Sequence, residues 1–232
     1  MSMLFQRFHE FDNGETVAGL GYDIVIQRRH LGRLTMPTGE LIACDPFYGL
    51  ETEPFAQTLP AGEHPTVLFA AELRDEIVPA YAMLRVSETE PIRWEAATIA
   101  EAEGNPFDPH ETGGYPVDSS LGAFMDAASA KNLMDYTHAV MDEEDEYRRA
   151  LRGRVRRRLK NREKGYGWAN IDLKYDAKVP QAPEDLNIIA FDAGYGPGLY
   201  STYIGFDEED EPARVVTDFE VLDFRFQSFR MR

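Results

Sequence analysis

The sequence predicts an α+β fold, with a mostly antiparallel or mixed β-sheet and a central helical insert around residues 120–164. Two observations carry this prediction. Short runs of β-branched and apolar residues, separated by Gly, Pro and Asp, fill the N-terminal part of the chain and return after residue 168. Between them, apolar residues recur at helical spacing. Strands and helices that are segregated along the chain are typical of α+β proteins.

The N-terminal part carries the first strand signals. We predict strands over 22–27, 31–36 and 41–44, and a hairpin of strands 66–73 and 77–87 that turns around 74–76. Pro46 restricts Asp45 to extended backbone geometry and ends the third strand. Residues 60–65 and the Gly- and Pro-rich residues 104–117 are predicted loops, and 93–103 fits either a strand or a helix.

The helical part begins at Ser119 or Ser120, since either serine can cap a helix. A second helical stretch is predicted over 143–164, where apolar residues recur every four positions, and Gly165 and Gly167 end it. Strand signals then return at 188–191. A final hairpin is predicted from 199–206 and 213–224, with the acidic residues 207–212 as its turn.

Composition limits the classes of function. The chain has 232 residues, of which 43% are hydrophobic, and this is enough apolar material for a packed core. The formal net charge of −17 repels nucleic acid and anionic membranes, whereas it attracts basic proteins and accelerates their association. We therefore expect a basic protein partner rather than nucleic acid or membrane.

The sequence also suggests a compartment. A lone cysteine, Cys44, excludes an intramolecular disulfide and lies in an apolar run, so it is predicted to be a buried structural residue. Glu10 and Asp12 follow the N-terminus too soon for a secretory signal. No apolar run is long enough for a transmembrane helix. A cytoplasmic protein is the simplest interpretation.

One segment has the opposite charge to the rest of the chain. Residues 148–164 hold ten Lys or Arg residues and a single acid, Glu163. Such a helix can bind RNA or another polyanion. It can equally be a solvated helix face that pairs with the acidic remainder of the protein. The whole-chain charge favours the second interpretation and makes nucleic acid an unexpected partner.

Acidic residues supply two sets of candidate site residues. Two clusters could contact a basic partner: Asp142, Glu143, Glu144 and Asp145, and Asp207, Glu208, Glu209 and Asp210. Alternatively, loop aspartates could converge on one pocket for acid–base or metal-dependent hydrolysis: Asp45, Asp118, Asp192 and Asp218. Each of these aspartates is also a common turn or cap residue.

Signatures of other chemistry are missing from the sequence. The five histidines are scattered without a paired-ligand spacing, so we assign no metal, cofactor or catalytic residue. Residues 191–198 contain three glycines but lack the Lys and Ser/Thr of a phosphate-binding loop, and Pro197 removes a donor N–H. A tight turn between strands is the better prediction for this segment.

Four blocks of residues, in this order and spacing, resemble the DUF4241 family. They are Gly32-x-Leu34 with Thr38-Gly39-x-Leu41-x-Ala43-x-Asp45-Pro46; Pro60-x-Gly62-x-x-Pro65; Gly114-Tyr115-x-Val117-Asp118 with Gly122-x-Phe124-Met125-Asp126-Ala127; and Asn187 to Phe191 with Gly194-x-Gly196-x-Gly198-x-Tyr200, Gly205 and Thr217-Asp218-Phe219. The resemblance spans residues 31–221 and implies a single domain over 1–232. It implies no established activity, and it places some relatives in bacterial toxin–immunity gene neighbourhoods.

The chain departs from the family pattern at two positions. Gly196-Pro197-Gly198 stands where the family tends to have Gly-Asp-Gly, and Ala123 stands where a cysteine is common. A family acid or thiol that acted in catalysis at these positions would be missing here. The charge and the lack of a catalytic constellation favour a non-enzymatic binding protein, and the resemblance implies, more specifically, an immunity-type inhibitor of a basic toxin enzyme. The aspartate-based enzyme and the polyanion-binding helix remain the alternatives.

Overall fold

The computed structural model describes residues 8–18, 22–99, 114–140, 152–153, 155–157, 159, 166–173 and 185–222. Its regular elements, numbered in chain order, are β1 (Thr16–Ala18), β2 (Asp23–Met36), β3 (Leu41–Cys44), β4 (Gly62–Leu73), β5 (Glu76–Arg85), β6 (Arg93–Ala96), β7 (Gly114–Val117), β8 (Leu121–Asp126), α1 (Ala127–Val140), β9 (Trp168–Asp172), β10 (Asn187–Asp192), β11 (Gly198–Phe206) and β12 (Pro212–Asp218).

The strands form two antiparallel sheets. The large sheet has the order β1-β2-β4-β5-β12-β11-β6, and β7 pairs with the other half of the same edge of β11. It curls into a half-barrel. The small sheet has the order β3-β8-β10-β9. The prediction of a mostly antiparallel sheet is confirmed.

The main core lies between the two sheets. Leu34, Leu68 and Leu84 project into it from the large sheet, and Phe124 and Ile189 project into it from the small sheet. All five side chains are buried. Because side chains alternate along a strand, the same strands present a second apolar set to the opposite faces of both sheets. These outer apolar faces must also be shielded from water by other segments.

Different segments cover the two outer faces. Ala130 and Leu133 of α1 pack on the outer face of the small sheet together with Val155. The segment 8–18 lies on the outer face of the large sheet, where the ring of Phe8 contacts the rings of Tyr81, Trp94 and Tyr203. The N-terminal segment is thus part of the core and brings Glu10 onto the large sheet.

Several local predictions are confirmed. Strand β3 matches the predicted 41–44, β4 and β5 form the predicted hairpin, and β11 and β12 form the second hairpin around 207–211. The predicted strands 22–27 and 31–36 are one strand, β2, with a bulge between His30 and Gly32. Gly32, at the end of the bulge, has φ +115°. The extra residue of the bulge interrupts the alternation of side chains, which explains why the sequence pattern predicted two strands. Two predicted loop boundaries are wrong: β4 begins inside the predicted loop 60–65, and β7 occupies the end of the predicted loop 104–117.

The central helical insert predicted over 120–164 is not evident as one unit. Residues 121–126 form strand β8, and the helix α1 begins only at Ala127. Ser120 has φ +68° and does not cap the helix. Residues 152–153 and 155–157 are helical, but most of 141–165 lies outside the described residues. The ambiguous segment 93–103 begins as strand β6.

Gly39 holds the turn between the two sheets, and we expect Gly39→Ala to lower the free energy of unfolding by about 2 kcal/mol. Its φ is +75°, and an added Cβ would lie 2.1 Å from the carbonyl oxygen of Leu59. Gly14→Ala is the matched control, since Gly14 has φ +90° but no atom within 4 Å of an added Cβ. The control should lose only about 1 kcal/mol. Urea unfolding of both variants measures the difference, and equal losses would contradict the steric argument.

Candidate functional site

Asp45 uses both carboxylate oxygens to hold backbone. It follows strand β3 and is buried. Its Oδ1 accepts a hydrogen bond from the N–H of Phe47 at 2.9 Å, and its Oδ2 accepts from the N–H groups of Asp118 at 3.0 Å and Ser119 at 2.7 Å. The structure therefore brings Asp45 and Asp118 together, but through the backbone of Asp118, whose side chain is exposed.

Asp192 and Asp218 lie at the ends of strands in different sheets. Asp192 ends β10 of the small sheet, and its Oδ2 accepts from the N–H of Gly167 at 2.5 Å. Asp218 ends β12 of the large sheet, and its Oδ1 accepts from the N–H of Glu220 at 2.9 Å. The carboxylate of Asp218 thus stabilises a local turn, which is an ordinary role of aspartate, and that of Asp192 holds the backbone just before the neighbouring strand β9.

A fifth aspartate, Asp126, caps the helix. Its Oδ1 accepts from the N–H of Ala128 at 2.8 Å, and its Oδ2 accepts from the N–H and hydroxyl of Thr38 at 3.1 and 2.9 Å. The side chain is fully buried. The cap is therefore an aspartate six or seven residues after the predicted serines, and it also joins α1 to the turn after β2.

Cys44, the only cysteine of the chain, ends strand β3. Cys44 is fully buried as predicted, and burial, together with the charge of Asp45, raises the pKa of its thiol. Ala123 lies directly opposite Cys44 in the strand pair, so a cysteine at that position would be buried too. Across the described ranges, no group of three His, Cys, Asp or Glu residues is placed to hold a metal ion.

The glycine loop after β10 is a tight turn, as predicted. The N–H of Gly196 donates to the carbonyl of Ala193 at 2.7 Å, and the hydroxyl of Tyr200 donates to the carbonyl of Gly196 at 2.8 Å. Gly194 and Gly196 both have positive φ. This arrangement turns the chain from the small sheet to the large sheet.

Two acidic loops meet at one end of the large sheet. The hydroxyl of Thr89 donates to Oδ2 of Asp207 at 2.7 Å, and the N–H of Ile92 donates to the carbonyl of Phe206 at 2.7 Å. These bonds join the connection between β5 and β6 to the turn between β11 and β12. We call the combined surface the acidic patch, and its acidic residues are Glu88, Glu90, Glu95, Asp207, Glu208, Glu209, Asp210 and Glu211.

Two of the predicted contact residues in the patch have structural roles. Asp207 is buried, and its Oδ1 accepts from the N–H groups of Glu209 and Glu211 at 3.0 Å each. The hydrogen bond from Thr89, reinforced by those N–H groups, holds the pKa of Asp207 below its ordinary value. Asp210 forms an ion pair with Arg93. The side chains of Glu208 and Glu209 are exposed and available to a partner.

Sequence reasoning missed the contribution of Glu88, Glu90 and Glu95 to the patch. The two loops that meet are 118 positions apart at Thr89 and Asp207. The strand pair β6–β11 brings them together, and the sequence left β6 ambiguous between strand and helix. Ile92 lies in the same connection and is 39% exposed, which places an apolar side chain beside the acids.

The other predicted contact residues form the acidic cluster that follows helix α1 in the sequence. Asp142, Glu143, Glu144 and Asp145 lie outside the described residues, as does most of the basic segment 148–164. Of that segment, Arg152 is described, and its guanidinium lies 4.9 Å from the ring centre of Tyr48. In the part of the chain that the structure covers, no helix combines the length and apolar character needed to span a membrane.

Comparison with known proteins agrees with the resemblance found in the sequence. No curated protein and no solved structure matches the chain. The family model for DUF4241, described as a protein of unknown function, matches residues 34–217. That range runs from the last three residues of β2 to the next-to-last residue of β12, and it contains both sheets except β1 and most of β2. The chain belongs to the DUF4241 family.

Proposed function

We propose that this protein is a non-enzymatic binding protein, an immunity-type inhibitor that binds a basic toxin enzyme through the acidic patch. The patch is the observation that carries the proposal. It gathers eight acidic residues, seven from two loops and Glu95 from strand β6, on a chain whose net charge is −17. A concentrated negative surface on a negative protein steers a cationic partner to one place.

The construction of the patch suits a protein interface. Asp207 fixes the turn that carries Glu208 and Glu209, so their charges are held in a defined position. Exposed Ile92, whose N–H donates to the carbonyl of Phe206 next to this turn, offers an apolar contact in the patch. Protein interfaces commonly combine an apolar centre with a polar rim. Charge then sets the association rate, and the apolar contact contributes to the lifetime of the complex.

The roles of the loop aspartates support binding over catalysis. Asp45, Asp126 and Asp192 each accept hydrogen bonds from backbone N–H groups of other segments. A general acid or base needs an oxygen that faces a substrate. Carboxylates engaged in this way are suited to holding loops, which supports a binding protein over the hydrolase alternative.

The first test is a pull-down from native cell extract with the full chain as bait, at about 0.1 M and about 1 M salt. The Debye length falls from about 10 Å to about 3 Å over that range. We expect one basic protein to be captured at low salt and lost at high salt. Failure to recover any basic protein at low salt would contradict the proposal.

The second test asks whether the patch is the contact surface. The variant E208Q/E209Q/E211Q removes three exposed charges from the patch, and the control E53Q/D75N/E76Q removes three exposed charges elsewhere. Asp75 and Glu76 lie at the opposite end of β5. We expect the patch variant to weaken binding of the captured partner by about tenfold, or about 1.4 kcal/mol, and the control to change it little. Calorimetric titration measures both, and equal weakening would exclude the patch.

A further inference from the structure

Three arginines on the outer face of the large sheet converge on one carboxylate. Arg28, Arg85 and Arg214 come from β2, β5 and β12, and Arg85 lies directly opposite Arg214 in the strand pair. Oε1 of Glu10 accepts from Nη2 of Arg28 at 2.5 Å and also from Nη2 of Arg85. Oε2 of Glu10 accepts from Nη2 of Arg214 at 3.4 Å. Glu10 thus occupies the centre of a guanidinium cluster.

The cluster has more donors than Glu10 can satisfy. The Nε atoms of Arg28, Arg85 and Arg214 are all buried and have no hydrogen-bond partner among the described residues. A guanidinium offers five N–H donors, and three of them greatly exceed the capacity of one carboxylate. Arg214, whose side chain is 2% exposed, also donates to the carbonyl groups of Ser87, Thr89 and Ala213.

The charge is in surplus as well. The three arginines share one buried carboxylate, that of Glu10, whose side chain is 9% exposed. The other carboxylates that pair with them, Glu88 with Arg85, Glu90 with Arg214 and Asp12 with Arg28, are solvent-exposed. Exposed carboxylates are screened by water and offset buried charge only weakly. An uncompensated buried charge is costly for folding, and apolar side chains would stabilise the sheet face better. The cluster therefore has a composition that folding alone does not explain.

Glu10 comes from the N-terminal segment, whereas the arginines that it joins come from three strands of the large sheet. Arg85 and Arg214 lie inside the family match, over 34–217, and Glu10 and Arg28 lie outside it. The segment is anchored next to Glu10 by Phe8 and Phe11, which are both buried. The cluster borders solvent, since the side chains of Arg28 and Arg85 are 18% and 27% exposed. A small anion can reach it once the side chain of Glu10 turns away.

We propose that Arg28, Arg85 and Arg214 form a binding site for a phosphate group, and that the carboxylate of Glu10 occupies this site as an internal competitor. A phosphate carries more charge and more acceptor oxygens than a carboxylate, so it matches three guanidinium groups better. Arginine is the residue that most often recognises such groups by paired N–H donors. Inorganic phosphate and a phosphate monoester share this chemistry.

The test follows the arginine Nε–H signals of the ¹⁵N-labelled full chain by NMR during titration. The ligands are inorganic phosphate and glycerol 3-phosphate, with sodium chloride at matched ionic strength as the blank. Saturable shifts are expected in the wild type, with binding at least about tenfold tighter in Glu10→Gln, because that variant weakens the internal competitor. Tighter binding of inorganic phosphate identifies the free ion as the ligand, and tighter binding of glycerol 3-phosphate identifies a monoester.

Two further variants decide the result. Glu53→Gln removes one exposed acid far from the cluster and should bind phosphate as the wild type does, which separates site occupancy from net charge. Arg85→Met should abolish the shifts. The proposal is overturned if neither ligand gives saturable shifts in Glu10→Gln, or if Glu10→Gln and Glu53→Gln bind equally. Should Glu10→Gln not fold, saturable shifts that are present in the wild type and lost in Arg85→Met support the site, and their absence from the wild type overturns it.

Discussion

Glu10→Ala is expected to lower the free energy of unfolding by about 3 kcal/mol at neutral pH in a phosphate-free buffer. The change removes the carboxylate that Arg28, Arg85 and Arg214 share, and it leaves three buried or half-buried cations close together. Breaking a buried ion pair by removing one partner is costly because the remaining charge stays desolvated. The expected loss is at the lower end of the range for breaking a buried ion pair, about 3–5 kcal/mol. The reason is that Arg28 and Arg85 are partly exposed.

The effect of Glu10 should also depend on pH. Burial by itself would raise the pKa of Glu10, but the hydrogen bond and charge of Arg85, with the charges of Arg214 and Arg28, outweigh it and hold the pKa below its ordinary value of 4.5. A carboxyl group with a lowered folded-state pKa stabilises the fold fully above its unfolded pKa. That contribution is lost as pH falls through the lowered pKa. The difference between wild type and variant should therefore be flat near neutrality and shrink in acid.

Asp12→Ala is the matched control for this prediction. Asp12 lies two positions along the same segment and within 3.8 Å of Arg28, but its side chain is 95% exposed. An exposed ion pair contributes little, so the loss should stay below about 1 kcal/mol. Urea unfolding at several pH values measures all three proteins. A loss in Glu10→Ala no larger than that in Asp12→Ala would show that the carboxylate does not hold the cluster together.

Local patterns in the sequence predicted the hairpins well and the centre of the small sheet poorly. In β4–β5 and β11–β12, turn residues separate apolar runs, and this signal needs only a few neighbouring residues. Strand β8 has all six residues buried, so it lacks the alternation that distinguishes a half-buried strand. Its apolar residues continue into α1 without a break, and the two together imitate one helix.

The candidate sites were harder to predict than the strands, because they depend on residues that are far apart in the sequence. The turn 207–211 was found because its acids are contiguous, whereas the rest of the acidic patch depends on the pairing of β6 with β11. Glu10 and Arg214 are 204 positions apart, and three separate strands bring the arginines to one point. Such a cluster is a product of strand order and register. Nothing in the sequence around any one of these arginines marks it as a site.

Asp45→Ala is expected to lower the free energy of unfolding by about 3 kcal/mol. The buried carboxylate accepts hydrogen bonds from the N–H groups of Phe47, Asp118 and Ser119, and it ties the end of β3 to the entry of β8. Hydrogen bonds to an ionised group contribute about 1.5–3 kcal/mol each, and water can replace part of this loss near exposed Asp118. Asp45→Asn keeps one acceptor oxygen and should lose about half as much.

The same variant distinguishes a structural aspartate from a catalytic one. A carboxylate that is held in place for catalysis commonly costs stability, so its removal is neutral or stabilising. Asp118→Ala serves as the control, because it removes an exposed side chain from the same pair and leaves the backbone N–H of residue 118 in place. Thermal and urea unfolding should rank the proteins as wild type and Asp118→Ala, then Asp45→Asn, then Asp45→Ala. An Asp45→Ala protein as stable as the wild type would return the aspartates to consideration as an active site, because the loop that they hold would then need no such support.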